Sequence, residues 1–536
     1  MRRLFSTAAV AIVGLLVAVP AHAAKAPTGA EFTVFAGGGS HPDVVYNGVD
    51  NEYLVVWDAH GTVEGRVVRP DLSGAGPVFA VSAPDRGGAP KAAYDRLRHE
   101  YLVLWPGPAG TGDEVLGQRL SATGFPVGVD DFQISASSGT VRSATVAYRA
   151  GHDEYGVAWE ANGSPGPGEV FLRRISGDGT ALAAPTQVSD PERGLGHSAR
   201  EPAIAYGAGE DQYLLAWVQD AQLERIETQV VGRLVEAGDG FAGPVIPISG
   251  SQLSGAGAGD RSEPALAYHP GNGYLVVWTA AYDYIGPWIV GDTVLPSGLV
   301  GGGEFTIRYP RLPGPFPTNG SREPALAFDP PSGAFEVLWR GATTLGDNSN
   351  DEIFGVTRYD GTDPFQVSGA DGLHYDSSEP AIAYDSNNEE HLVVWTSAGS
   401  PGVGFRILAR RLVKTPPPST VDRRAPRVRI SLSPLPHILR TRGLVIRASC
   451  DEACTLGASA RASLARSGRT VRFRSASRRV GAEMRVELRL GVSRGAVRAL
   501  RRAFRHSTRL TVHLTVTASD AAGNKRTVAR TLGVRR

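Results

Sequence analysis

Apolar residues along this chain recur in short runs bounded by Gly, Pro, Asp and Asn, not at helical spacing. One pattern returns seven times: a run ending in Ala-Tyr or a close variant, a polar turn, then a run ending in Trp, usually opened by an aromatic residue. The paired markers are Tyr46 and Trp57, Tyr94 and Trp105, Tyr148 and Trp159, Tyr206 and Trp217, Tyr268 and Trp278, Phe328 and Trp339, and Tyr384 and Trp395. The interval from first marker to Trp is 11 residues in every copy but the fifth, where it is 10. Trp-to-Trp intervals vary from 48 to 61. Fixed spacing inside a hairpin and variable spacing outside it describe a rigid unit joined by elastic loops. After each Trp the pattern predicts a third strand, clearest at 115–120 and 230–234, and a fourth, as at 132–135 and 365–368. These runs are β-branched and aromatic, the composition of strands.

Four strands in each of seven repeats predict an all-β fold, a seven-bladed β-propeller. Residues 31–35 read as a fourth strand before the first repeat, while the seventh repeat has a third strand at 405–409 and then leaves for a proline-rich stretch. The N-terminal strand is therefore expected to complete the last blade and remove an exposed edge. A linear β-solenoid is the alternative. The chain resembles secreted bacterial seven-bladed propellers with Tyr-Leu-Val-Val-Trp-type repeats, over residues 31–413. It lacks sialidase-type Asp boxes and the Gly-His and Trp-Asp signature of WD repeats. The resemblance implies a fold, and this architecture hosts many functions.

The chain opens with Met-Arg-Arg, an apolar stretch from about residue 8 to 19, and Ala21-His22-Ala23. That is the order of a secretory signal peptide over 1–23, predicting an exported chain that is extracellular or associated with the cell envelope. At the other end, 414–426 contains three consecutive prolines and reads as a stiff linker. Residues 427–536 return to alternating strands, with one short basic helix at 494–505. With Ser449-Cys450-Asp451-Glu452-Ala453-Cys454 and the Asp520-Ala521-Ala522-Gly523-Asn524 turn, this segment resembles the immunoglobulin-like β-sandwiches appended to exported actinobacterial proteins. Cys450 and Cys454 read as too close in sequence to bridge two sheets. In an oxidising compartment they are expected to pair across a tight turn, with two free thiols as the alternative.

Charge changes this picture. The formal net charge of +1 is a cancellation, because residues 415–536 hold 27 Lys and Arg against 6 Asp and Glu. A strongly acidic propeller is thus joined to a strongly basic sandwich. The basic part suggests contact with an anionic envelope polymer or lipid headgroups, or docking on the acidic part. A nucleic-acid partner is not expected, and no second apolar span predicts an integral membrane segment.

Candidate chemistry is sparse. Glu201, Glu263, Glu323 and Glu379 each precede a proline at the start of a first strand. In a propeller the first strand is innermost, so these carboxylates are expected around one mouth of the channel. They would either form a partial ring for a cation or cationic ligand, or accept backbone N–H groups from the next blade. Asp347, Ser349 and Asp351 space oxygens as a calcium loop does, but without its glycine and distal glutamate, so a solvated turn is the alternative. No other cofactor is expected. Trp288 stands outside the repeat pattern in an aromatic-rich loop and is a candidate for sugar or protein contact, or for local packing. The long loop 309–321 is the clearest recognition surface. No nucleophile elbow, phosphate loop or metalloprotease motif is present. The expectation is an exported, non-catalytic protein that binds a glycan or protein. A carbohydrate hydrolase or lyase and a purely structural envelope protein are the alternatives.

Overall fold

The computed structural model describes residues 25–534, except 111, 137–138, 163–167, 190–197, 221–227, 239–241, 250–259, 282–286, 302, 308–319, 343–349, 358–363, 370–375, 400–403, 415–425, 433–442, 452–453, 465–469, 481–484, 506–509 and 520–524. The predicted signal peptide, most of the predicted linker, Asp347, Ser349 and most of the 309–321 loop therefore lie outside the described residues. The chain divides into two compact units, Met1–Thr415 and Pro416–Arg536.

In the first unit the described strands form seven four-stranded antiparallel sheets. The fourth sheet is typical: Ala199–Gly207, Gln212–Asp220, Thr228–Glu236 and Ile246–Pro247, paired in that order. The first strands of neighbouring sheets touch in sequence, and that of the seventh returns to that of the first, so the sheets close into a ring with these strands innermost.

The repeated aromatic residues explain the packing. The two residues flanking each turn are direct cross-strand partners, and their rings tilt together, as in Tyr46–Tyr53 at 5.1 Å and Tyr148–Tyr155 at 5.0 Å. In the seventh sheet the second ring is His391, opposite Tyr384. All seven repeat tryptophans are at most 2% exposed. Each lies in an apolar cluster shared by two adjacent sheets; Trp217, for example, packs with Ala158 and Leu172 of the preceding sheet. The hydrophobic core is thus divided into seven slabs between sheets, each sealed by a tryptophan.

The outermost strands are short, most of them two residues, and a serine continues the edge. Val63, Val115, Val170, Val230 and Ile353 each donate a backbone N–H to the hydroxyl of Ser82, Ser135, Ser189, Ser249 and Ser368, at 2.7–3.1 Å. A buried N–H left without an acceptor costs about 1–3 kcal/mol. Ser249→Ala is accordingly expected to lower unfolding free energy by about 1–2 kcal/mol in urea titration, with little change in the slope.

The seventh sheet is Ser377–Asp385, Glu390–Ser397 and Arg406–Lys414, completed by the N-terminal strand Lys25–Phe35. Phe32 pairs with Ala409, and Lys25 with Lys414. The closing strand starts six residues before the sequence pattern indicated, because it is anchored by a buried polar group and not by an apolar one. Lys25 is 2% exposed. Its Nζ lies 3.0 Å from Asp329 Oδ2 and 2.9 Å from His391 Nδ1, over the Tyr384 ring. Its backbone N–H donates to Thr357 Oγ1.

The second unit packs a three-stranded sheet (Val428–Leu432, Gly443–Cys450, Val486–Gly491) against a five-stranded one (Cys454–Leu464, Thr470–Arg472, Ala476–Val480, Leu510–Ser519, Lys525–Val534). Leu444, Ile446, Leu488 and Leu490 of the first meet Leu456, Val512, Leu514 and Val516 of the second in one core. The helix Arg494–Arg505 adds Leu500 to it and is capped by Ser493, whose Oγ accepts the Ala496 N–H.

Cys450 and Cys454 form a disulfide. The expectation that they could not link two sheets is wrong. Cys450 ends a strand of the smaller sheet and Cys454 begins one of the larger, so the bridge ties the corner where the chain changes sheets. Closing so short a loop is worth about 2 kcal/mol, and replacing both cysteines by alanine is expected to lower the stability of this unit by that amount. No helix among the described residues is long and apolar enough to cross a membrane.

Candidate functional site: a crown of carboxylates

The inner strands begin at a common end of the ring, and there the Glu-Pro pairs shape the backbone. A proline has no N–H to give to the ladder. The pairing skips at this point in four sheets, between Arg200 and Ala203, Ser262 and Ala265, Arg322 and Ala325, and Ser378 and Ala381. Each bulge leaves its glutamate at positive φ: 55° at Glu201, 54° at Glu263, 53° at Glu323 and 54° at Glu379. That conformation costs about 1–3 kcal/mol for a non-glycine residue, so the surroundings must hold it.

They do so through a relay from sheet to sheet. The Glu263 N–H donates to Glu201 Oε2 at 2.6 Å, Glu323 N–H to Glu263 Oε2 at 2.8 Å, and Glu379 N–H to Glu323 Oε2 at 2.6 Å. The relay extends beyond the four predicted residues at both ends. His41 donates its N–H to Glu379 Oε2, and Glu201 donates its own to Glu160 Oε2. The sequence reading missed both. His41 carries the same signal as the glutamates, since His41-Pro42 stands five residues before Tyr46, and it shares the bulge and a φ of 52°. Glu160 gives no such signal; it directly follows Trp159 on the second strand.

The second oxygens divide the crown. Glu379 Oε1 is 3.1 Å from His41 Nε2. Glu323 Oε1 receives Arg340 Nη1 at 2.9 Å. Arg340 also grips Asp351 through Nε at 2.7 Å and Nη2 at 2.6 Å, so this member of the candidate calcium loop is held by a cation. Among the described residues no cluster of three or more His, Cys, Asp or Glu side chains is placed to hold a metal ion.

Glu201 and Glu263, neighbours in the relay, are different. Thr279 donates to Glu263 Oε2, which leaves Oε1 without a described partner. Arg200 reaches Glu201 Oε1 only at 3.9 Å, its guanidinium being committed to Asp220. Burial raises the Glu201 carboxyl above the ordinary range against the pull of the Glu263 N–H and Arg200; the charges of Glu263 and Glu160 raise it further.

Trp288 opens the third strand of the fifth sheet, opposite Ala280, which pairs in turn with Arg261. It therefore stands at the same end of that sheet as Glu263, two strands outward, and is half-buried. Residues 282–286, the rest of its aromatic loop, lie outside the described residues.

No family model matches the chain, and no curated protein matches it in sequence. Solved structures do resemble it. An α-L-arabinanase from Penicillium chrysogenum aligns at 11% identity and a TM-score of 0.42, over 62% of this chain and 99% of its own. An ulvan lyase of a polysaccharide lyase family aligns at 11% identity and a TM-score of 0.46, over 72% and 94%. A fungal alcohol oxidase aligns at 10% identity and a TM-score of 0.39, over 95% and 98%. The likeness is one of all-β folds built from repeated four-stranded sheets. Where the sequence reading expected a non-catalytic binding protein, the structures this chain resembles are mostly named as carbohydrate-active enzymes.

Proposed function

We propose that the first unit is a seven-bladed β-propeller, closed by its N-terminal strand, that acts as a carbohydrate-active enzyme, a hydrolase or lyase, through the adjacent carboxylates of Glu201 and Glu263. The observation that carries the reading is the division of the crown. Two neighbouring glutamates keep an oxygen without a close described partner, where Glu323 and Glu379 are closed by Arg340 and His41. Cleavage of a glycosidic bond needs two carboxyl groups in different protonation states, one to protonate the leaving oxygen and one to attack or to activate water. Glu201, held towards its acid form, is the proton donor. Glu263 is the partner base or nucleophile, and Trp288 stands at the same rim, two strands outward.

The second unit is an immunoglobulin-like sandwich joined through the proline-rich linker, and the protein is exported after removal of residues 1–23. A disulfide in the second unit supports an oxidising compartment. The function is tested by incubating the full chain with a panel of neutral and acidic polysaccharides. Released reducing ends report hydrolysis, and the ultraviolet absorbance of unsaturated products reports lyase chemistry. Turnover of one substrate supports the reading, and inertness across the panel overturns it.

A further inference from the structure

The five-stranded sheet of the second unit carries a row of basic side chains that folding does not explain. Arg472, Arg461, His513 and Thr531 are direct cross-strand partners on four consecutive strands. Direct partners share one face, with Cβ atoms about 5 Å apart. The adjacent Ala462 and Val512 are in the core, so the row lies on the outer face. Arg461 and Arg472 are exposed. Like charges directly opposite one another destabilise a sheet. Among the described residues no ion pair with a carboxylate offsets them; Glu487 serves Arg447 and Arg489, and Asp451 accepts the Arg427 N–H.

The row lines a groove of about 650 Å³, together with Arg530 and the hydroxyl-bearing Ser459 and Thr515. His513 Nδ1 is 3.2 Å from Thr531 Oγ1, which orients the imidazole.

We propose that this groove binds a segment of an anionic polysaccharide, its carboxylate or sulfate groups on Arg461 and Arg472 and its hydroxyls on the serine and threonine side chains. Arginine forks match such oxyanions in geometry and charge. Single-stranded nucleic acid needs exposed rings for its bases, and the one benzenoid ring at the groove, Phe473, is 7% exposed. A bilayer surface rewards exposed apolar side chains, and the large exposed hydrophobic residues of the described chain all belong to the first unit. The site is independent of the carboxylate crown.

The test is titration of the full chain with heparin and with polygalacturonate over a range of salt concentrations. Phosphatidylglycerol vesicles, oligodeoxythymidine and neutral dextran serve as comparisons. The variant Arg461→Ser/Arg472→Ser is set against Arg494→Ser/Arg498→Ser, which removes the same charge from the exposed face of the helix. The groove variant is expected to bind the acidic polysaccharides about tenfold more weakly, with a salt slope shallower by about 1–2, while the helix variant changes less than about threefold. Equal losses in the two double variants, or tighter binding to vesicles or to the oligonucleotide than to either polysaccharide, would overturn the proposal.

Discussion

Replacing Lys25 by methionine is expected to lower the stability of the ring by about 3–5 kcal/mol, the effect of breaking a buried ion pair from one side. The ammonium is enclosed by Asp329, His391 and the Tyr384 ring, and Asp329 would be left as an uncompensated buried charge. Burial also keeps His391 neutral, so its Nδ1 accepts from the lysine. The double variant Lys25→Met/Asp329→Asn is expected to recover most of the loss, since both charges are then gone. Urea unfolding of the parent and the two variants reads this out. If the single variant is no worse than the double, the pair does not anchor the closing strand.

The same cluster sets a pH dependence. Glu336 is fully buried, and desolvation pushes its carboxyl up to about 8 against the pull of Lys25. An acid raised in the folded state keeps its proton while the unfolded chain has already lost it. Its contribution is therefore full below the ordinary glutamate range and is lost as pH rises towards 8, at no more than about 1.4 kcal/mol per pH unit. Glu336→Gln is expected to flatten stability across that window and to raise it most at the alkaline end. An unchanged slope would remove Glu336 as its source.

The ring was legible because its markers are local. A tyrosine or phenylalanine and a tryptophan 10 or 11 residues apart are one hairpin, and seven copies describe seven hairpins without any long-range information. Lys25 was not legible, because its partners lie more than 300 residues away and a lone lysine after the N-terminal apolar stretch has no pattern. The strand Cys454–Leu464 was missed for another reason. It is rich in Ala, Ser and Gly, which have low strand propensity, yet Leu456, Ala458, Ala460 and Ala462 alternate into the core. Tertiary context overrides propensity there. In the crown the glutamates were visible through Glu-Pro. Their division into closed and open members was not, because it depends on His41, Thr279 and Arg340, which belong to other strands or to another sheet.

That division gives the largest functional effect expected. Glu201→Gln and Glu263→Gln each keep an oxygen that can accept the next sheet's N–H, so the relay and the fold should survive. Each removes a titrating group, a loss of about 10²–10⁴-fold in kcat for acid–base chemistry. Glu379→Gln is the control, because it changes a carboxylate of the same backbone geometry that His41 already occupies. The decisive measurement is kcat for the parent and these three variants on the polysaccharide that the parent turns over, with melting temperatures taken alongside. The account predicts near-complete loss in Glu201→Gln and Glu263→Gln, nearly parental turnover in Glu379→Gln, and similar melting temperatures throughout. Equal turnover in all four proteins, or equal loss in all three variants, would contradict it and leave the crown as a structural latch between sheets.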